Sequence, residues 1–66
     1  MAINQLLKRM RDLSHVTVRG LVTLRQVRSG AYRVNFRDGN ETTAYYTDNL
    51  DDAVNTAIEM ARERAL

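Results

Sequence analysis

Catalysis needs nucleophiles, proton carriers or metal ligands, and this 66-residue chain holds few of them. His15 is the single histidine, and it falls where a helical pattern gives way to a strand pattern. There is no cysteine, and the two serines, Ser14 and Ser29, lie in linking segments. No nucleophile–base pair can be assembled from that set. Asp48, Asp51 and Asp52 gather three carboxylates, but their spacing follows no cation-binding loop, and the start of a helix accounts for them. Gly20, Gly30 and Gly39 form no phosphate-binding loop. A disulfide scaffold and a thiolate zinc site are excluded with the cysteines. The expectation is a protein that is not an enzyme, with no catalytic residue, no metal ligand and no cofactor.

Charge is the stronger signal. The net charge of +2 hides a division along the chain. Residues 1–37 carry Lys8, Arg9, Arg11, Arg19, Arg25, Arg28, Arg33 and Arg37 against Asp12 alone, a balance of +7. Residues 38–66 carry Asp38, Glu41, Asp48, Asp51, Asp52, Glu59 and Glu63 against Arg62 and Arg64, a balance of −5. One basic and one acidic surface are expected. All basic residues but Lys8 are arginine, the side chain that makes planar, bidentate contacts to carboxylate and phosphate.

The elements that must position these charges follow from hydrophobic periodicity. Ile3, Leu6, Leu7, Met10 and Leu13 form one stripe of an amphipathic helix over about residues 2–13. The period then changes to two. Val16, Val18, Val22 and Leu24 share one parity of a long first strand, and Gly20 within it suggests a bulge or a close backbone approach. Tyr32, Val34 and Phe36 alternate with Arg33, Asn35 and Arg37 in a second strand. Residues 41–47 read as a third, with Ala44 and Tyr46 on one parity and Thr43 and Tyr45 on the other.

Arg28-Ser29-Gly30 and Arg37-Asp38-Gly39 each fit a three-residue hairpin loop with glycine in the left-handed position. Those loops pair Leu24 with Val34, Val22 with Phe36, and Tyr32 with Ala44. Thr47 or Asp48 caps a second helix whose stripe is Leu50, Ala53, Val54, Ala57, Ile58, Ala61 and Ala65. Met1, Met10 and Met60 fill core gaps. The expected architecture is α+β, ordered α-β-β-β-α, a three-stranded antiparallel meander with both helices packed on one face. It forms a single domain over residues 1–66.

The face left over carries Arg19, Leu21, Arg25, Arg33, Arg37 and Tyr45, with Arg25 opposite Arg33 and neither arginine partnered. This is the first candidate docking surface. The acids Asp48, Asp51, Asp52 and Glu59 of the second helix make the other. A chain this short is marginally stable, which a homodimer or a tight partner complex would remedy. No apolar run approaches the ~20 residues a membrane span needs, and the N-terminus is too polar for a signal peptide. The expected setting is cytoplasmic, with no membrane partner.

The order helix, three strands, helix resembles the double-stranded RNA-binding domain. That family grips phosphates with a basic start to its second helix and a His-bearing loop between its first two strands. Here those positions hold Asp48, Asp51 and Asp52, and Arg28-Ser29-Gly30, so the chain departs at both. In its small size, lack of cysteine and split charge, it resembles the small inhibitors that phages and mobile elements make, anti-CRISPR proteins among them. That resemblance implies a protein complex as partner, contacted through the arginine face or the acidic helix. Direct binding of nucleic acid by the arginine face, with Tyr45 as a stacking ring, is the second reading.

Overall fold

A computed structural model describes residues 3–65 of the chain. Helix α1 (Ile3–Leu13) leads into strands β1 (His15–Val18), β2 (Val22–Gln26) and β3 (Tyr32–Phe36). A short 3-10 helix at Glu41–Thr43, strand β4 (Tyr45–Thr47) and helix α2 (Leu50–Ala65) follow. The class is α+β, with two helices and one antiparallel sheet. That sheet has four strands in the order β1-β2-β3-β4, not three.

The additional strand arises because the long first strand breaks. Arg19 and Gly20 both have positive φ, 54° and 67°, and the Leu21 N–H donates to the Val18 carbonyl at 2.9 Å. Positive φ at both central residues is the signature of the tight hairpin turn that matches strand twist. Gly20 is therefore a turn residue and not a bulge. Val18 still pairs with Val22 and Val16 with Leu24, so the expected parity survives the break.

The helix expected from residue 2 is described from Ile3, and Met1 and Ala2 lie outside the described residues. Leu6 and Met10 are buried and Leu7 is half-buried, whereas Ile3 and Leu13 at the ends of the stripe are exposed. Ser14, at φ 63°, ends the helix in the left-handed conformation and donates its N–H to the Met10 carbonyl at 3.0 Å.

The β2–β3 hairpin forms in the expected register, Val22 with Phe36, Leu24 with Val34 and Arg25 with Arg33. The Val27 N–H reaches the Ala31 carbonyl at 2.8 Å, and Gly30 is left-handed at φ 96°. The second glycine loop behaves differently. Gly39 is not left-handed, and the chain turns through the 3-10 helix before β4 begins. Tyr32 pairs with Thr47 and not with Ala44.

Leu6, Met10, Val16, Val18, Val22, Leu24, Val34, Ala53, Val54, Ala57 and Ala61 form one buried cluster. It joins α1, α2 and a single face of the sheet. Burial of each large member contributes roughly 1.5–3 kcal/mol. The alanines at 53, 57 and 61 are essentially fully buried and recur every four residues, so α2 lies close against the sheet. Asn49 caps this helix, accepting the Asp52 N–H on Oδ1 at 2.9 Å. The expected caps, Thr47 and Asp48, do not serve, although Thr47 Oγ1 accepts the Asn49 N–H at 3.2 Å. Asp51 and Asp52 lie in the first turn and Arg62 and Arg64 in the last, the signs that complement the helix dipole. No helix among the described residues is long and apolar enough to cross a membrane.

Candidate functional site

The face of the sheet turned away from the helices carries a transverse row of polar side chains. His15 pairs with Arg25, Arg25 with Arg33, and Arg33 with Tyr46. The row crosses all four strands, and at the usual strand spacing it spans about 14 Å. His15, Arg25 and Tyr46 are exposed.

Tyr46 in this row is a correction. The expected register placed Tyr45 among the arginines and Tyr46 on the core side. The β4 register differs by three residues, Tyr32 pairing with Thr47 in place of Ala44, and a shift by an odd number exchanges every side chain between faces. Tyr45 consequently turns toward α2, and its hydroxyl donates to Asp52 Oδ2 at 2.5 Å. That carboxylate, more than any other neighbour, pushes the Tyr45 phenol above its ordinary pKa.

The cause of the slip is a hydrogen-bonded knot around Asn35, which is only 3% exposed. The Asn35 amide donates to the Asn40 carbonyl at 3.0 Å, and its Oδ1 accepts the Thr43 hydroxyl at 2.7 Å. Asn40 caps the 3-10 helix by accepting the Thr42 N–H on its own side chain at 3.0 Å. Gly39 is required for space. A Cβ there would stand 2.5 Å from Thr43 Oγ1 and 2.7 Å from Asn35 Oδ1. The knot uses residues 40–43 as a turn, which leaves only Tyr45–Thr47 to pair with β3.

The same turn delivers Glu41 to the arginine row. Arg33 Nη2 donates to Glu41 Oε1 at 2.6 Å and Nε donates to the same oxygen at 3.2 Å. The Tyr46 hydroxyl donates to Glu41 Oε2 at 2.8 Å and accepts from Arg33 Nε at 3.1 Å. The Arg33 hydrogen bond, then that of Tyr46, holds the Glu41 carboxyl below its ordinary pKa, and the nearby charge of Arg25 adds in the same direction. The bonds to Glu41 and Tyr46 raise the Arg33 pKa, so Arg33 is a fixed cation. Arg33 was expected to be unpartnered and is not. Among the described residues Arg25 forms no salt bridge.

The other expected site residues scatter. Arg19 sits in the β1–β2 turn and lines a recess of about 70 Å³ with Leu6, Val18, Ile58 and Arg62, so it serves the helix side. Leu21 is half-buried against the core. Arg37 donates its backbone N–H to the Leu21 carbonyl at 3.0 Å and Nη1 to the Gly20 carbonyl at 3.3 Å. Both line an open depression of about 520 Å³ at the end of the sheet, with Gly20, Asp38 and Arg64. There Arg64 grips both Asp38 oxygens at 3.0 and 2.9 Å and stacks 4.0 Å above the Phe36 ring.

On α2, Glu59 pairs with Arg62 at 3.0 Å and Asp52 receives Tyr45, while Asp51 is exposed, as is Asp48 just before the helix. Among the described residues, no three of His, Cys, Asp and Glu come together as metal ligands.

Sequence reasoning missed His15 and Tyr46 as members of the row, and Glu41 as the partner of Arg33. A signal for the last two was present. Asn40 two residues before Thr42 is the pattern of a side chain that turns the backbone on itself. Comparison with protein-family models, curated proteins and solved structures finds no match, so function is read from the chain's own geometry.

Proposed function

We propose that the protein is a non-catalytic binding module that docks on a macromolecular partner, a protein complex, through the outer face of its sheet. The observation that carries this reading is the inequality of the two opposed arginines. Arg33 is held by Glu41 and Tyr46, while Arg25 stands across from it and, among the described residues, forms no salt bridge. Like charges opposed on a sheet are mildly destabilising, and an anionic group from a partner relieves that repulsion. Arg25, pre-positioned between His15 and Arg33, is the group to receive it.

Glu41 favours a protein over a nucleic acid. A nucleic-acid strand carries a negative charge at every phosphate and cannot omit one where it passes a fixed carboxylate. A protein surface places its acids selectively and can match the mixture of donors and acceptors that Arg25, Glu41 and Tyr46 present. In size and split charge the chain resembles phage-type inhibitors of the anti-CRISPR kind. On that likeness the partner is a bacterial nucleic-acid-handling complex such as a CRISPR effector. A second reading, direct binding of nucleic acid, draws on the exposed ring of Tyr46, which takes the place of Tyr45 as a stacking surface beside the arginines.

Native capture from bacterial lysate, with and without nuclease, separates the two. A defined complex retained at fixed stoichiometry after nuclease treatment, and lost on Arg25→Glu, is the expected result. Capture that vanishes with nuclease overturns the protein reading in favour of the second.

A further inference from the structure

We propose that the row His15–Arg25–Arg33–Tyr46 is a receptor for an extended, carboxylate-bearing protein segment that crosses the strands, with Arg25 as the binding residue and Arg33 as a positioning residue. This deepens the docking reading and rests on it. The row is straight because each of its members is the ladder partner of the next. An extended segment presents same-face side chains about 7 Å apart, so two acids at alternate positions span from Arg25 to the His15 edge or to the outer side of Arg33. One wall of the path is fixed. Glu41 and Tyr46 hold Arg33 through Nε and Nη2, and the knot of Asn35, Asn40 and Thr43 anchors the turn that carries Glu41. The rest of the path is open, since His15 and Arg25 are exposed. Charge complementarity selects the occupant. An acid at Arg25 meets an arginine with no ion pair among the described residues, whereas an acid reaching Arg33 must share it with Glu41.

The test uses the whole 66-residue protein and a capped synthetic peptide of alternating glutamate and serine, followed by amide NMR. Oligothymidylate of matched charge is titrated separately. The peptide is expected to shift the amides of His15, Arg25, Arg33 and Tyr46 together. Arg25→Glu should weaken binding by about tenfold or more, and Arg25→Lys should recover part of it. Arg33→Gln should weaken binding less and broaden the Tyr46 signals, because Tyr46 loses a fixed neighbour.

Peptide shifts confined to Lys8, Arg9 and Arg11, or unchanged affinity in Arg25→Glu with an unaltered thermal melt, overturn the proposal. So does oligothymidylate binding the row more tightly than the peptide. If the peptide fails while the nuclease-resistant complex from lysate still depends on Arg25, the acidic segment is wrong and the docking face stands. If that complex survives Arg25→Glu, the docking face itself is wrong.

Discussion

Arg25 lies directly across the β2–β3 ladder from Arg33, and the Glu41 carboxylate forms its ion pair with the second and not the first. The two arginines therefore respond differently to removal of charge. Arg25→Gln relieves a cross-strand repulsion and should leave the thermal melt level or slightly raised. Arg33→Gln strips Glu41 and Tyr46 of their shared partner and should lower it. Because the folded Glu41 pKa is depressed, its contribution is present above the ordinary carboxylate range and is lost as pH falls through the lowered folded value. The deficit of Arg33→Gln should accordingly be seen at neutral pH and shrink in acid. Thermal melts of both variants across that range test this, and equal behaviour of the two would contradict it.

The Asn35 knot makes Gly39 a position where space is limiting. An added Cβ would stand 2.5 Å from Thr43 Oγ1 and 2.7 Å from Asn35 Oδ1. Gly39→Ala should destabilise by roughly 1–3 kcal/mol, the cost of overpacking. It should also disturb Glu41 and Tyr46, since the 3-10 turn that carries Glu41 must move. Denaturant titration together with the Tyr46 ring signals in NMR checks both effects. A wild-type spectrum with wild-type stability would remove Gly39 from this role.

Tyr45 offers a titration at the other end of the pH scale. Its hydroxyl donates to Asp52, and the carboxylate raises the phenol above its ordinary value of 10.0. A raised folded pKa contributes stability below the ordinary tyrosine value, and that contribution is lost as pH rises through the folded value. Asp52→Asn should bring one of the three tyrosine titrations, followed by phenolate absorbance, back down toward the ordinary value. An unchanged titration would mean that Tyr45 does not face α2.

Leu24 is fully buried, paired with Val34 on one side and Val16 on the other. Leu24→Ala should cost roughly 2–5 kcal/mol through lost burial and a cavity. In a domain this small that is enough to leave much of the population unfolded near 37 °C. A circular dichroism melt like that of the parent would show that the core is assigned wrongly.

These cases show where the sequence is legible and where it is not. Leu24 and Val34 could be paired from sequence because alternation, the Arg28-Ser29-Gly30 loop and the demand for one apolar face all agree. Arg25 opposite Arg33 came with that register. The Gly20 turn was hidden because Val18 and Val22 keep the same parity whether the strand continues or folds back. Tyr45 and Tyr46 were exchanged because residues 41–47 alternate well enough to pass for a strand. The interactions that make Glu41–Thr43 a turn run from Asn35, six to eight residues earlier, through side-chain hydrogen bonds that no periodicity encodes. The ion pair of Arg33 depends on that turn and was lost with it.

On this proposal docking runs through the outer sheet face at Arg25 and not through the exposed basic side chains of α1, Lys8, Arg9 and Arg11. The most direct test is capture from nuclease-treated lysate with three purified forms: the parent, Arg25→Glu, and Arg9→Glu. All three must first show the same far-ultraviolet circular dichroism. The parent and Arg9→Glu should retain the same complex while Arg25→Glu loses it. Loss of the complex with Arg9→Glu and its retention with Arg25→Glu would place the contact on α1 and contradict the account.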